Sequence, residues 1–252
     1  MRVYFILDND VLFLPKMLDA ILCDNKHEWI GIGITSNDVT QRYMRRHIRL
    51  IGIWSAMKLL SKQYIALFID KLRPKKPRTI QSVARAYGVP WRIVKNVNDP
   101  EYLDFLTHLK PDVIVSSNEQ IFRKEILSIP TVACINRHSS LLPANRGMLA
   151  VFHAIANGDA YTGVSIHFMN EKIDDGGVIV QRAVYIPPLP NLFKLYKKCF
   201  EISPEIIKEA LDILEKKLPF KTLKDLPITS SYHSLPNDED WKKFKARGAK
   251  FA

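Results

Sequence analysis

Asn136 and His138 stand two residues apart at the end of an apolar run, Thr131 to Ile135. Side chains two apart on an extended chain share a face, so an amide and an imidazole can point the same way. In open α/β sheets the carboxyl ends of strands open into the crevice where ligands bind. A carboxylate is available farther along, in Asn170-Glu171-Lys172-Ile173-Asp174-Asp175-Gly176-Gly177. Amide, imidazole and carboxylate together suit acyl transfer through an oxyanionic intermediate. A carboxylate beside the ring would favour the charged imidazole. Each residue also has a plain reading. Asn is a common turn former after a strand, and Asp-Asp before Gly-Gly is ordinary turn chemistry. Residue types and spacing by themselves leave the reaction open.

Periodicity supplies the elements that must position these residues. Residues 2–7 read as a buried strand, and 29–34 as a second. Between them Leu14, Met17, Leu18, Ile21 and Leu22 recur at helical spacing within 11–24. Thr79 to Tyr87 reads as a helix stopped by Gly88 and Pro90, and 91–94 as a short strand. Asp99 is expected to cap a helix that opens on Pro100 and runs to His108. Strands are expected at Val113–Val115, Thr131–Ile135, Gly163–Met169 and Val178–Ile186, with a helix over 121–128. Pro187-Pro188-Leu189-Pro190 marks a boundary. Beyond it, Leu192–Phe200 and Pro204–Lys217 read as two helices, the second capped by Ser203, and a short helix follows Asp238. Strands alternating with helices predict an α/β chain, a mostly parallel sheet with helices on both faces. The division expected is a core of residues 1–190, interrupted by an insertion at about 36–78, and a helical C-terminal extension at 191–252.

The chain has 252 residues, 47% hydrophobic and 25% charged, which excludes wholesale disorder and collagen-like repeats. Cys23, Cys134 and Cys199 are widely spaced with no CxxC, so no disulfide framework is expected and a reducing compartment is. No metal ligand set is assigned. The first apolar run is too short for a signal peptide, and no stretch reaches the ~18 uncharged apolar residues of a membrane span. A cytoplasmic protein is therefore expected. Its net charge of +11 is uneven: residues 42–78 hold eleven Lys and Arg against Asp70 alone. An anionic partner for that segment follows. The segment is also apolar, with Ile53, Met57 and Leu60 on one helical face and Trp54 beside it. The plain expectation is a helix that packs on its own core with Lys and Arg in water. The alternatives are an anionic membrane, at the inner membrane surface, RNA, or a homodimer contact. After the first strand Asp8-Asn9-Asp10 stands where GxGxxG would, which weakens a dinucleotide-binding reading and removes a phosphate cradle.

Asn136-x-His138-x-Ser140-Leu141-Leu142-Pro143, then Arg146-Gly147, then Asp174 thirty-eight residues beyond Asn136, resemble the folate-dependent formyltransferases. That family includes glycinamide ribonucleotide, methionyl-tRNA and sugar N-formyltransferases. Ser165-Ile166-His167-Phe168, Gly176-Gly177 and Gln181 fit the same pattern. The resemblance is good over 110–186, weaker over 1–35 and 79–110, and absent over 36–78. It implies a Rossmann-like formyltransferase fold and formyl transfer from 10-formyltetrahydrofolate to an acceptor amine. It also implies Asn136, His138 and Asp174 as the catalytic residues, with Asp175 as the rival for the carboxylate role. The pterin would be held by Asn118, Glu119, Gln120, Ile121 and Phe122, and by Asn170 to Asp174, Asn170 and Ile173 among them. Asp8-Asn9-Asp10 replaces the family's phosphate loop and disfavours glycinamide ribonucleotide. A helical 191–252 disfavours the barrel domain of the methionyl-tRNA enzymes. An amino-sugar acceptor remains. The alternatives are a methionyl-tRNA-type enzyme without the barrel, or an inactive folate-binding or membrane-associated protein.

Overall fold

The computed structural model describes residues 1–36, 42, 48–72, 78–223, 225–226 and 228–252. The strands are β1 (Arg2–Asp8), β2 (Glu28–Thr35), β3 (Trp91–Val94), β4 (Val113–Ser117), β5 (Ala133–His138), β6 (Arg146–Gly147), β7 (Tyr161–Phe168), β8 (Val178–Tyr185) and β9 (Tyr232–His233). The helices are α1 (Leu14–Leu22), α2 (Ile48–Ile51), α3 (Ile53–Leu72), α4 (Ile80–Ala86), α5 (Pro100–Leu109), α6 (Lys124–Leu127), α7 (Ala150–Asn157), α8 (Leu192–Lys216) and α9 (Asp238–Ala246). Seven strands form one sheet in the order β3-β2-β1-β4-β5-β7-β8, and β6 pairs with β9. The pairs β1/β2, β1/β4, β2/β3 and β4/β5 are parallel, and β7/β8 is antiparallel. This is the expected mostly parallel α/β sheet. The chain divides into two compact units, Met1–Thr40 with Ser61–Asn136 and Phe168–Lys172, and Gln41–Leu60 with Arg137–His167 and Ile173–Ala252.

In the first unit, Val3 to Leu7 are buried along β1, as a strand covered on both faces requires. Tyr4, Ile6, Tyr102, Leu106, Ile114 and Phe122 share one apolar cluster. Helix α4 opens on the Thr79 capping box with Ser82. Asp99 occupies the position before α5, yet its side chain makes no cap bond; Pro100 opens the helix with its preset φ. Helix α6 is shorter than the expected 121–128, because Phe122 leaves the helical path to enter the core. Strand β5 starts two residues later than expected and runs on to His138. Its last pair with β4 is Ser116 with Asn136.

In the second unit, α8 is one helix where two were expected. Pro204 lies inside it and removes an amide donor. The buried stripe Leu195, Cys199, Ser203, Ile206 and Ala210 nevertheless keeps one register across the proline. Packing of that stripe outweighs the lost bond, and Ser203, expected as a cap, instead donates to the Cys199 carbonyl at 2.6 Å. Helix α9 forms where expected, capped by Asn237 and Asp240. Tyr232–His233 adds a short strand to the helical extension.

Helix α3 departs from the plain expectation. Ile53, Trp54, Met57 and Leu60 are all exposed, so the apolar face is not the one in the core.

Gly163 in β7 has no space for a side chain. A Cβ there would stand 2.2 Å from the Arg182 carbonyl oxygen and 2.5 Å from Leu141. Both neighbours belong to the β7/β8 pairing and to the Ser-Leu-Leu-Pro turn, and the backbone oxygen has little room to move. Gly163→Ala is expected to lower unfolding free energy by about 2 kcal/mol or more. Urea denaturation checks this, and an unchanged midpoint would refute the crowding.

Candidate active site

His138 and Asp174 come together in the second unit. His138 Nδ1 lies 3.4 Å from Asp174 Oδ2, with the two side chains only 10% and 11% exposed. The other ring nitrogen, Nε2, lies 2.9 Å from the Asn145 carbonyl oxygen and therefore carries the hydrogen. Asp174 Oδ2 also accepts the Gly147 N–H at 2.9 Å. Its other oxygen lies 3.4 Å from His167 Nε2. Asp174 adopts a left-handed φ of 49°, an uncommon backbone for a residue with a side chain. Arg146 pairs with Asp175, so the neighbouring carboxylate has a different partner from Asp174.

Burial and charge act in opposite directions here. Burial alone would raise the Asp174 carboxyl, but His138, the His167 hydrogen bond and the Gly147 N–H outweigh it and hold it well below the usual range. For His138 burial is the larger effect and pushes the ring below its ordinary value, while Asp174 and the Asn145 carbonyl pull it back. The expectation that the carboxylate would favour a charged ring is thus reversed by desolvation. At neutral pH the ring holds one proton, and Nδ1 can take a second. The imidazolium so formed donates from both nitrogens, to Asp174 and to Asn145.

Strand β5 holds the ring in place through its opposite face. Arg137 alternates away from His138. Its Nε donates to Ser203 Oγ at 2.9 Å and its Nη1 to Ser139 Oγ at 2.7 Å. The guanidinium lies 3.8 Å over the Phe200 ring. Burial pulls Arg137 down to about 10, still charged at neutral pH. The turn after β5 is pinned by a second network. Ser165 Oγ donates to the Ser140 carbonyl at 2.7 Å, and Gln181 Nε2 donates to the Leu142 carbonyl at 2.8 Å. Asn145, left-handed at φ 53°, donates its backbone N–H to Ser231 Oγ and its side-chain amide to Asp159.

Asn136 lies at the end of the first unit, two residues before His138 on the same strand. The expected pterin residues Asn118 to Phe122 follow β4. Gln120 spends its side chain on the Val97 N–H and the Lys95 carbonyl. Phe122 is 2% exposed and belongs to the core. Ile121 is exposed, and its carbonyl accepts Asn98 Nδ2. Asn118 Oδ1 accepts the Gln120 N–H, while Asn118 Nδ2 is buried with no partner among the described residues. Asn170 Oδ1 accepts the Lys172 N–H, and Ile173 is exposed. Asn145, Gly147 and Arg137 carry roles that sequence reasoning missed. Gly147 and Arg137 stand inside the quoted motif, but backbone amides and strand-face partners leave no mark in residue spacing.

At the end of β1, Asp10 fills the amino end of α1. Its carboxylate accepts the N–H groups of Leu12, Phe13 and Leu14 at 3.0, 2.6 and 2.9 Å. Those are the donors a phosphate would use. Asp8 accepts Thr35 Oγ1–H at 2.8 Å, and burial, helped by the charge of Glu119, pushes its carboxyl up to about 8. The cradle is therefore closed mainly by occupancy, with Asp8 largely neutral at pH 7.

The formyl transferase family profile matches residues 55–211, more than half of the chain. The chain belongs to the formyl transferase family. The match begins inside the segment that lacks the motif resemblance and extends into α8. Among relatives, the methionyl-tRNA formyltransferase of Thermotoga neapolitana is 38% identical over 144 residues, 57% of this chain and 46% of that protein. That of Roseiflexus sp. RS-1 is 37% identical over 134 residues, 53% of this chain and 41% of that protein. The chain spans about half the length of the curated relatives it matches. A sugar N-formyltransferase from a Shewanella species has the same fold, with TM-score 0.59 at 18% identity, covering 98% of this chain and 87% of that one. WlaRD, a sugar 3N-formyl transferase crystallised in the presence of dTDP and 5-N-formyl-THF, gives 0.60 at 18%, covering 98% and 79%. Phosphoribosylglycinamide formyltransferase from Bacillus halodurans gives 0.61 at 19%, covering 86% and 96%.

Asp8 yields a pH prediction whose sign is fixed by its raised value. A carboxyl at about 8 when folded and about 4 when unfolded adds stability below pH 4 that is lost as pH rises through 8. Asp8→Asn keeps an acceptor for Thr35 and cannot ionise. It is expected to be nearly neutral at pH 4 and stabilising by about 1–3 kcal/mol at pH 9. Thermal melts at the two pH values check this, and an equal difference at both would contradict it.

Proposed function

We propose that this chain transfers a formyl group from 10-formyltetrahydrofolate to the amine of an amino sugar. The observation that carries the reading is the buried His138–Asp174 pair on the Asn-x-His strand of a formyl transferase-family chain. 10-Formyltetrahydrofolate supplies an activated formyl carbon. The partnerless Asn118 Nδ2 fits the hydrogen-bonding edge of a pterin. Exposed Ile121, in the same unit, offers apolar contact for its ring.

His138, neutral at rest, takes the proton released as the acceptor amine bonds to the formyl carbon. The Asn136 amide donates to the oxyanion that develops, and the imidazolium stabilises it by its charge. Asp174 holds the charged ring by its own negative charge. His138 returns the proton to the folate nitrogen as the bond from that nitrogen to the formyl carbon breaks. Arg137, Gln181 and Ser165 act by position alone.

Two features support an amino sugar as acceptor. Asp10 fills the helix end that would take a phosphate there. The likeness to sugar N-formyltransferases extends over 98% of this chain, through the C-terminal extension. A second reading, methionyl-tRNA, is favoured by the identity of the curated relatives and by the basic segment 42–78.

Release of tetrahydrofolate is the readout, with amino-sugar nucleotides, charged initiator tRNA and glycinamide ribonucleotide as acceptors. Turnover is expected with an amino sugar, falling by about 10²–10⁴ in His138→Ala and about 10²–10³ in Asn136→Ala. Turnover with tRNA alone would establish the second reading. Turnover with none of the three acceptors would sink the reading.

A further inference from the structure

We propose that α3 docks this protein on an anionic lipid bilayer, lying in the interface with its apolar face toward the acyl chains. The proposal concerns the insertion and is independent of which acceptor is formylated. At 100° per residue, Ile53, Trp54, Met57, Tyr64, Ile65 and Phe68 fall within one arc of α3, and all are exposed. Trp54 is 80% exposed, Tyr64 70% and Phe68 64%. The opposite arc carries Ser55, Ala56, Leu59, Gln63, Ala66 and Asp70, with Leu59 its one large apolar side chain, and it is the less accessible side. Asp70 on that side accepts from the Arg78 and Thr79 amides and from Ser82 Oγ. A helix built to pack on its own core has the reverse arrangement, with its apolar face inward. Twenty residues extend about 30 Å, so the apolar face is too large for scattered surface residues to account for.

Charge selects the occupant. Arg42, Arg45, Arg46 and Arg49 precede the helix in sequence, and Lys71, Arg73, Lys75 and Lys76 close it and follow. A second copy would add an equal excess of positive charge from the same stretch of sequence. Anionic headgroups would neutralise that charge. Trp54 and Tyr64 are side chains that favour the boundary between headgroups and acyl chains. Spanning is excluded for this element: Lys58, Lys62 and Asp70 interrupt it, and no helix among the described residues is long and apolar enough to cross a membrane. A membrane-surface position is what a basic helix with this exposed face supports.

The test is flotation of the whole protein with phosphatidylcholine vesicles, with and without phosphatidylglycerol. Binding is expected only to the vesicles with phosphatidylglycerol, and is expected to weaken at high salt. The double variant Trp54→Ser, Phe68→Ser should weaken it at least about tenfold. Both positions are exposed, so an unchanged melting temperature verifies that the fold is intact. Absence of binding, or binding unaffected by the serines, would overturn the proposal. So would a dimer in light scattering that the serines dissociate, since a second copy would then cover the face.

Discussion

Much of the candidate site depends on one buried carboxylate. Asp174 is surrounded by a backbone amide and two imidazoles, and little water reaches it. An ionised group so placed is costly unless every lone pair has a partner. Each partner must then be fixed independently. Gly147 is fixed by β6 pairing with β9, where a Cβ would stand 2.2 Å from the His233 carbonyl oxygen. His138 is fixed by the Asn145 carbonyl and by its strand. His167 is fixed by β7. The left-handed backbone of Asp174 is the local cost of aiming the carboxylate at all three.

The face of β5 opposite His138 shows the same logic with a cation. Arg137 is buried without a carboxylate among its hydrogen-bond partners. Two hydroxyls and an aromatic ring take that place. Neutral acceptors hold the guanidinium without cancelling its charge, which adds to burial in lowering the His138 ring. Ser203 is the hinge of the arrangement, since its hydroxyl accepts from Arg137 and donates to the Cys199 carbonyl near Pro204. The proline thus sits beside the residue that ties α8 to β5.

Apolar runs and turn residues made the sheet legible, because a buried strand has few ways to be written. Asn136, His138 and Asp174 stand out only as a constellation; taken singly they read as turn and packing residues. What stayed hidden shares a physical cause. Gly147 acts through its backbone, Asn145 through a carbonyl, and Gln120 through bonds to a loop distant in sequence, so side-chain type carries no trace of any of them. Two helices were read in place of α8 because proline was weighed as a local breaker, while the stripe from Leu195 to Ala210 was already continuous across it. Helix α3 was legible as a helix, but its polarity was not. Periodicity shows that one face is apolar and is silent on whether that face looks inward.

Asp10 shows how a chain can reject a ligand without repelling it. The amino end of a helix offers unpaired N–H groups, and some anion or water must satisfy them. Here the chain supplies its own carboxylate, three bonds deep, within four residues of sequence. An external phosphate would have to displace a tethered carboxyl group whose local concentration no free ligand matches. Repulsion by a neighbouring charge falls with salt, but occupancy does not. The donors at the amino end of α1 are therefore satisfied by the covalent chain itself.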